Sequence, residues 1–238
     1  MDTLQDPLSR RPATPARPLL GLTILVVEDS RYTCETLRLM CLRSGARIRR
    51  ADCLASARRH LKVYRPSAVV IDMGLPDGRG EDLIRELAQA EPRVTALIGM
   101  SGDDGAEAAA MAAGADGFLA KPLGALALFQ QTILAALSEE DRITGPRAVS
   151  SEVLDPDRSA YCDDLSHVAT LLGARQDGPT IDYVVQFLGS VAHCAQDMAL
   201  ATAARDLGHC QPGQGRRRQQ VAQLMEMVRA RLGNRAAI

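Results

Sequence analysis

Five side chains between positions 28 and 121 are of types that handle phosphate and hard cations, and each stands at the end of an apolar run. The run Thr23-Ile-Leu-Val-Val opens onto Glu28 and Asp29, and Ala68-Val-Val-Ile opens onto Asp72. Residues 94–100 lead to Ser101, and Gly117-Phe-Leu-Ala leads to Lys121. Three carboxylates brought together repel one another unless a cation neutralises them, and hard oxygen donors of this kind suit Mg²⁺. A carboxylate is also a nucleophile that can take up a phosphoryl group as an aspartyl phosphate. Such a transfer depends on positioning and on neutralising the phosphoryl oxygens, which a cation on one side and an ammonium on the other would supply.

That chemistry requires the run ends to meet. A short, wholly apolar run ending in an acid is how a strand buried on both faces of a parallel sheet reads. Ser30 supplies an N-cap for a helix through about Arg43, with Leu37, Met40 and Cys41 on one face, and Ser44-Gly45 stops it. Residues 47–51 read as a second strand, 54–64 as a helix and 68–72 as a third strand. The stretch 74–78 is a loop rich in turn formers, followed by a helix over 81–90. A strand over 94–100, a helix over 104–113, a strand over 117–120 and a helix over 126–137 complete the pattern. Five strand–helix alternations predict a doubly wound parallel sheet with helices on both faces. In such a sheet the site lies at the carboxyl ends of the strands, near the point where strand order reverses.

The segments Val26-Val-Glu-Asp-Ser30, Val70-Ile-Asp-Met-Gly-Leu-Pro-Asp-Gly-Arg-Gly80, Gly99-Met-Ser-Gly-Asp103 and Gly117-Phe-Leu-Ala-Lys-Pro122 resemble the four signatures of response-regulator receiver domains, in order and at fitting spacings. The resemblance covers about residues 22–138 and implies a flavodoxin-like, five-stranded α/β fold. It implies Asp72 as the phosphoacceptor, and Glu28, Asp29, Asp72 and the backbone carbonyl of Gly74 as ligands of Mg²⁺. Lys121 and Ser101 would meet phosphoryl oxygens, Ser101 and Phe118 would form the conformational switch, and the Lys121–Pro122 peptide would be cis. Gly102 departs from the family, which more often has Ala there, and Gly74 leaves the second position after the acceptor without a side chain. A haloacid-dehalogenase-type phosphatase would need an acid at position 74, and a flavin site would want aromatic, Ser/Thr-rich loops.

By the same resemblance the chain is a phosphoacceptor signalling protein of a two-component phosphorelay, not an enzyme beyond its own phosphorylation and dephosphorylation. Its expected partners are a sensor histidine kinase or phosphotransfer protein and a downstream protein. A second copy is a further candidate partner, through the face of the fourth helix, fifth strand and fifth helix.

Composition bounds the rest. The 238 residues carry a net charge of −1, which gives the molecule no general field for nucleic acid. Hydrophobic residues make up 46%, enough for a buried core, whereas aromatics at 3% and the absence of Trp argue against stacking platforms. Six cysteines show no C-x-x-C pair and no zinc spacing, which fits reduced thiols in a cytoplasmic protein. No apolar run reaches the length of a membrane span.

Residues 1–20, with four prolines, read as a disordered leader, 21–138 as the receiver, 139–158 as a linker and 159–238 as a small all-α domain. Helices are expected over about 160–172, 180–207 and 217–232, the last two parted by Gln211-Pro-Gly-Gln-Gly215. Val184, Phe187, Leu188, Val191 and Met198 form an apolar stripe that reads as intramolecular core. Two other outputs stay open for this region. One is DNA binding, for which Arg216 to Arg218 are the only basic cluster and no helix-turn-helix is evident. The other is phosphotransfer by His167, His193 or His209, none of which is followed by the Lys and Gly usual in histidine-phosphotransfer domains.

Overall fold

The computed structural model describes residues 13–137, 154, 156–209 and 214–233. Residues 1–12 of the expected leader and most of the expected linker, 139–158, lie outside the described residues, as does Cys210.

A five-stranded parallel sheet is built from β1 (Thr23–Val27), β2 (Arg47–Ala51), β3 (Ala68–Asp72), β6 (Ala96–Ser101) and β7 (Gly117–Ala120), in the order β2-β1-β3-β6-β7. Between the strands run α1 (Arg31–Ser44), α2 (Leu54–Val63), α3 (Gly80–Ala88), α4 (Ala106–Ala113) and α5 (Leu126–Ala136). The doubly wound α/β sheet expected from the alternation is therefore present. The loop after β3 contains a minimal hairpin, β4 (Gly74–Leu75) with β5 (Gly78–Arg79).

The central strands are apolar throughout because helices cover both of their faces. Ile24, Val26, Val70 and Ile98 point to a core shared with α1 and α5, and Leu25, Val69, Ile71 and Leu97 to one shared with α2, α3 and α4. Local signals set the helix ends. The Ser30 hydroxyl accepts from the Thr33 N–H at 3.0 Å, and Gly45 ends α1 at a φ of 84°. Asp77, within the hairpin loop, caps α2 by accepting from the N–H groups of Leu54 and Ala55 at 2.8 and 2.9 Å.

Four helices follow: α6 (Arg158–Ala174), α7 (Gly178–Cys194), α8 (Met198–Gly208) and α9 (Gln214–Gly233). They enclose their own core, with Leu165, Val184, Leu188, Leu200 and Val228 fully buried. The single helix expected over 180–207 is two helices. The chain turns at Gln196, which has a φ of 57°, and Asp197 starts α8 by accepting from the Leu200 N–H at 3.1 Å. The turn divides the apolar stripe. Val184, Phe187, Leu188 and Val191 are core as expected, but Met198 lies beyond the break and is exposed. Asp197 also accepts from the Tyr161 hydroxyl at 2.9 Å and is gripped by the Arg231 guanidinium, so one carboxylate ties α6, α8 and α9 together.

The disordered reading of residues 1–20 fails for residues 13–20. Thr14 and Arg17 form an antiparallel bridge, and Leu19 is fully buried in the core against α1 and α5. Its N–H donates to the Ser44 carbonyl at 2.9 Å. The prolines hid this anchor, since composition registers the tail and not the one leucine that packs. Leu19→Ala should cost about 2–4 kcal/mol, the range of a buried leucine truncation. Urea unfolding of the full chain measures it; a change under about 0.5 kcal/mol would place Leu19 outside the core.

Candidate functional site

Because β1 and β3 are parallel neighbours in register, with Val27 beside Ile71, the residues that follow them emerge side by side. The loops after β1 and β3 leave on opposite sides of the sheet, which opens the crevice that such folds use. Into it come Glu28, Asp29 and Asp72, each offering a carboxylate oxygen within 4.8 Å of the others. Ser101 arrives from the end of β6 and Lys121 from the loop after β7. These residues and Gly74 line one cavity of about 350 Å³.

Lys121 organises the crevice. Its Nζ lies 2.8 Å from Glu28 Oε2 and 2.8 Å from Asp72 Oδ1, with its side chain 3% exposed. Burial opposes the ammonium's charge, but the Asp72 and Glu28 carboxylates together outweigh it and hold the Lys121 pKa well above its usual range. Burial pushes the Glu28 carboxyl well above the ordinary carboxylate range, against the pull of Lys121 and with added repulsion from Asp72 and Asp29. Glu28 Oε1 also accepts from the Ser30 N–H at 3.0 Å. Asp29 is raised to about 6, chiefly by burial and by Asp72, although a hydrogen bond from Tyr183 works the other way. Three acids and one buried ammonium leave a surplus of negative charge, and hard carboxylate oxygens this close together fit a small divalent cation.

Ser101 is buried, and its Oγ accepts from the Asp103 N–H at 3.1 Å. Phe118 is half-buried against the core under α2, α3 and α4, with a ring carbon 3.1 Å from where a Gly99 Cβ would stand. The Lys121–Pro122 peptide is cis. At Gly102 an added Cβ would meet Lys121 Cβ at 3.6 Å and the Lys121 carbonyl oxygen at 3.8 Å, both ordinary contacts; the alanine usual in the family would fit.

What closes the crevice comes from the second half of the chain. Helix α7 lies across its mouth. The Tyr183 hydroxyl donates to Asp29 Oδ2 at 2.8 Å, and Lys121 Nζ donates to Ser190 Oγ at 3.3 Å. The Gln186 carboxamide rests on Gly74, where a Cβ would come within 2.1 Å of Gln186 Nε2. The bare position two residues after Asp72 is thus filled from another element. His193 and Arg205 complete the far wall of the cavity. On α6, Asp164 is 2% exposed and accepts from the Ser30 hydroxyl at 2.8 Å and from the N–H groups of Arg31 and Tyr32 at 2.9 and 3.0 Å. Tyr32, a receiver residue, packs edge-on to Tyr161 and belongs to the bundle's core. A single-sequence reading had no handle on these contacts. Asp164, Tyr183 and Ser190 are ordinary helix residues whose importance arises only from what they face. Of the other residues singled out, His167 packs edge-on to Phe187 and does not line the cavity that holds Asp72, His209 is exposed at the end of α8, and Arg217 pairs with Asp182 at 3.1 Å.

Comparison with known proteins places this geometry. The response regulator receiver domain family matches residues 24–133. The KDP operon transcriptional regulatory protein KdpE of Escherichia coli is 30% identical over 123 residues, covering 52% of this chain and 54% of that protein. The transcriptional regulatory protein CitB of Klebsiella pneumoniae is 40% identical over 67 residues, 27% of this chain and 29% of that protein. The chain thus spans about half, or less, of the length of these curated relatives. Among solved structures, a response regulator of Chloroflexus aurantiacus is 30% identical, with a TM-score of 0.45, covering 48% of this chain and 98% of that one. The receiver domain of a sensor histidine kinase from Pseudomonas aeruginosa PAO1, described with a magnesium ion in its active-site cleft, is 26% identical, with a TM-score of 0.43 and coverage of 48% and 94%. The five-stranded parallel sheet, with acids after β1 and at the end of β3 and a lysine after β7, agrees with the family match: residues 24–133 are a response regulator receiver domain.

Proposed function

We propose that the chain is a cytoplasmic response regulator of a phosphorelay, taking a phosphoryl group from a phospho-histidine of a sensor kinase or phosphotransfer protein onto Asp72. The observation that carries this reading is the Lys121 ammonium 2.8 Å from Asp72 Oδ1, beside an acidic set able to take Mg²⁺. In the transfer a carboxylate oxygen of Asp72 attacks phosphorus, the P–N bond to the donor imidazole breaks and the P–O bond to Asp72 forms. Glu28, Asp29, Asp72 and the Gly74 carbonyl would hold Mg²⁺, which supplies charge neutralisation at the phosphoryl oxygens. Lys121 meets one phosphoryl oxygen and the Ser101 hydroxyl donates to another. The movement of Ser101 lets Phe118 turn further inward and shifts the population of the α4–β7–α5 face, where a protein partner or a second copy would engage. The five described cysteines are free thiols, consistent with a reducing compartment. Among the described residues no helix is long and apolar enough to cross a membrane.

One observation favours a second reading. His193 lines the same cavity as Asp72, so an internal relay from the acceptor to the bundle is the alternative. A DNA-binding output draws only on the transcriptional names of the curated relatives, and Arg217 of the basic cluster is engaged by Asp182.

Acetyl phosphate with Mg²⁺ should label the wild-type chain with a hydroxylamine-sensitive phosphate, and Asp72→Asn should abolish that label, as should chelation of the metal. Persistence of the label in Asp72→Asn would exclude Asp72 as acceptor. An acid-labile, alkali-stable label that disappears in His193→Gln would favour the relay.

Lys121→Ala leaves Glu28 and Asp72 buried without their shared cation, which should cost about 3 kcal/mol or more at pH 8. Glu28 and Asp29 already bind protons more tightly in the folded protein than in the unfolded chain, so protonation at pH 5 relieves the repulsion and the loss should shrink there. Urea unfolding at the two pH values measures this, and an equal loss at both would show that the carboxylates do not depend on Lys121.

A further inference from the structure

We propose that the α6–α9 bundle is a competitive latch on the receiver, held down by Asp164 and released when cation and phosphoryl group load the crevice. The proposal rests on the reading of Asp72 as phosphoacceptor and goes beyond it by assigning the bundle a role.

The docked bundle uses the groups that loading requires. Asp29 Oδ2 accepts the Tyr183 hydroxyl, so a cation that takes this oxygen competes with the tyrosine. An ammonium has three protons to donate. Those of Lys121 are taken by Glu28, Asp72 and Ser190, so contact with a phosphoryl oxygen displaces at least one of them. Gln186 and α7 also stand over the approach to Asp72, where a protein donor must bring its imidazole.

A lid that merely rested on the crevice would be lost without consequence. This one is fastened at a point connected to the crevice. The opening N–H groups of α1 have no partners within their own helix, and a carboxylate placed there is favoured by both hydrogen bonding and the helix dipole. Asp164 takes that place from α6, binding the N–H groups of Arg31 and Tyr32 and the Ser30 hydroxyl. Ser30 in turn gives its N–H to Glu28, and Glu28 holds Lys121. A continuous path of hydrogen bonds and ion pairs therefore runs from Asp164 through Ser30, Glu28 and Lys121 to Asp72. When Glu28 and Lys121 rearrange around a cation and a phosphoryl group, the Ser30 turn that Asp164 grips moves with them. Arg31 with Asp163 at 2.9 Å and the Tyr32–Tyr161 contact complete the docked face. By linkage, whatever factor docking subtracts from cation and phosphoryl affinity is the factor by which loading weakens docking.

The test uses the full chain with Mg²⁺ and beryllofluoride as the phosphoryl mimic, read by amide hydrogen exchange and by Mg²⁺ titration. On loading, the amides of Arg31 and Tyr32 and the peptide spanning α7 should exchange about tenfold faster or more, within the usual range of allosteric coupling. Asp164→Ala, which leaves the crevice residues unchanged, should bind Mg²⁺ severalfold more tightly than the wild type. If beryllofluoride binds but exchange at Arg31, Tyr32 and α7 is unchanged, the latch is overturned and the acceptor reading stands. Equal Mg²⁺ affinity in Asp164→Ala and wild type also overturns it. Failure of beryllofluoride to bind either protein would sink the acceptor reading, and the latch with it. Should Asp164→Ala not fold, exchange in the wild type decides alone.

Discussion

The structure turns on one buried ammonium. Lys121 is buried and pairs with Glu28 and Asp72 at once. An unpaired buried charge costs several kcal/mol, so the two carboxylates depend on the ammonium set between them. Parallel pairing of β1 with β3 and the position of β7 at the sheet edge serve to bring these three side chains within reach. The remaining negative charge makes the crevice receptive to a divalent cation, so that structural and functional needs meet in the same atoms.

The second theme is that the crevice is shared. A receiver domain standing alone would leave Asp29 to solvent and the Arg31 and Tyr32 N–H groups at the start of α1 without the carboxylate that binds them here. In this chain the bundle supplies a hydroxyl to the first and a carboxylate to the second. Gly74 fits the same logic. A Cβ there would fall 2.1 Å from Gln186 Nε2, so the carboxamide at the far end of that flexible side chain would have to swing aside.

Much of the receiver was legible in the sequence because its signals are local and redundant. Apolar runs end in charged residues, Ser30 and Gly45 bound α1, and five strands recur at regular spacing. The candidate crevice residues could be named because each sits at a strand end, where topology alone brings side chains together. The bundle was less legible for a physical reason. Helical periodicity tells which face is buried, but it does not tell what buries it, and the period continued across Gln196 although the backbone did not. Asp197 was a readable helix start that the apolar pattern masked. Leu19 was hidden by its prolines, and Asp164 by its charge, since a lone acidic residue on a helix is more often solvated than buried under another domain.

Tyr32 gives the molecule's architecture an unusual seam. It sits in the first turn of the receiver's first helix, yet its ring fills the hydrophobic interior of the other half, against Tyr161. The covalent boundary between the halves and the boundary between their cores therefore do not coincide. A fragment cut after α5 would carry an aromatic plug with nothing to seal, and the complementary fragment would have a hollow where that plug belongs. Each half is built to be completed by the other, so separating them uncovers greasy surface on both sides of the cut.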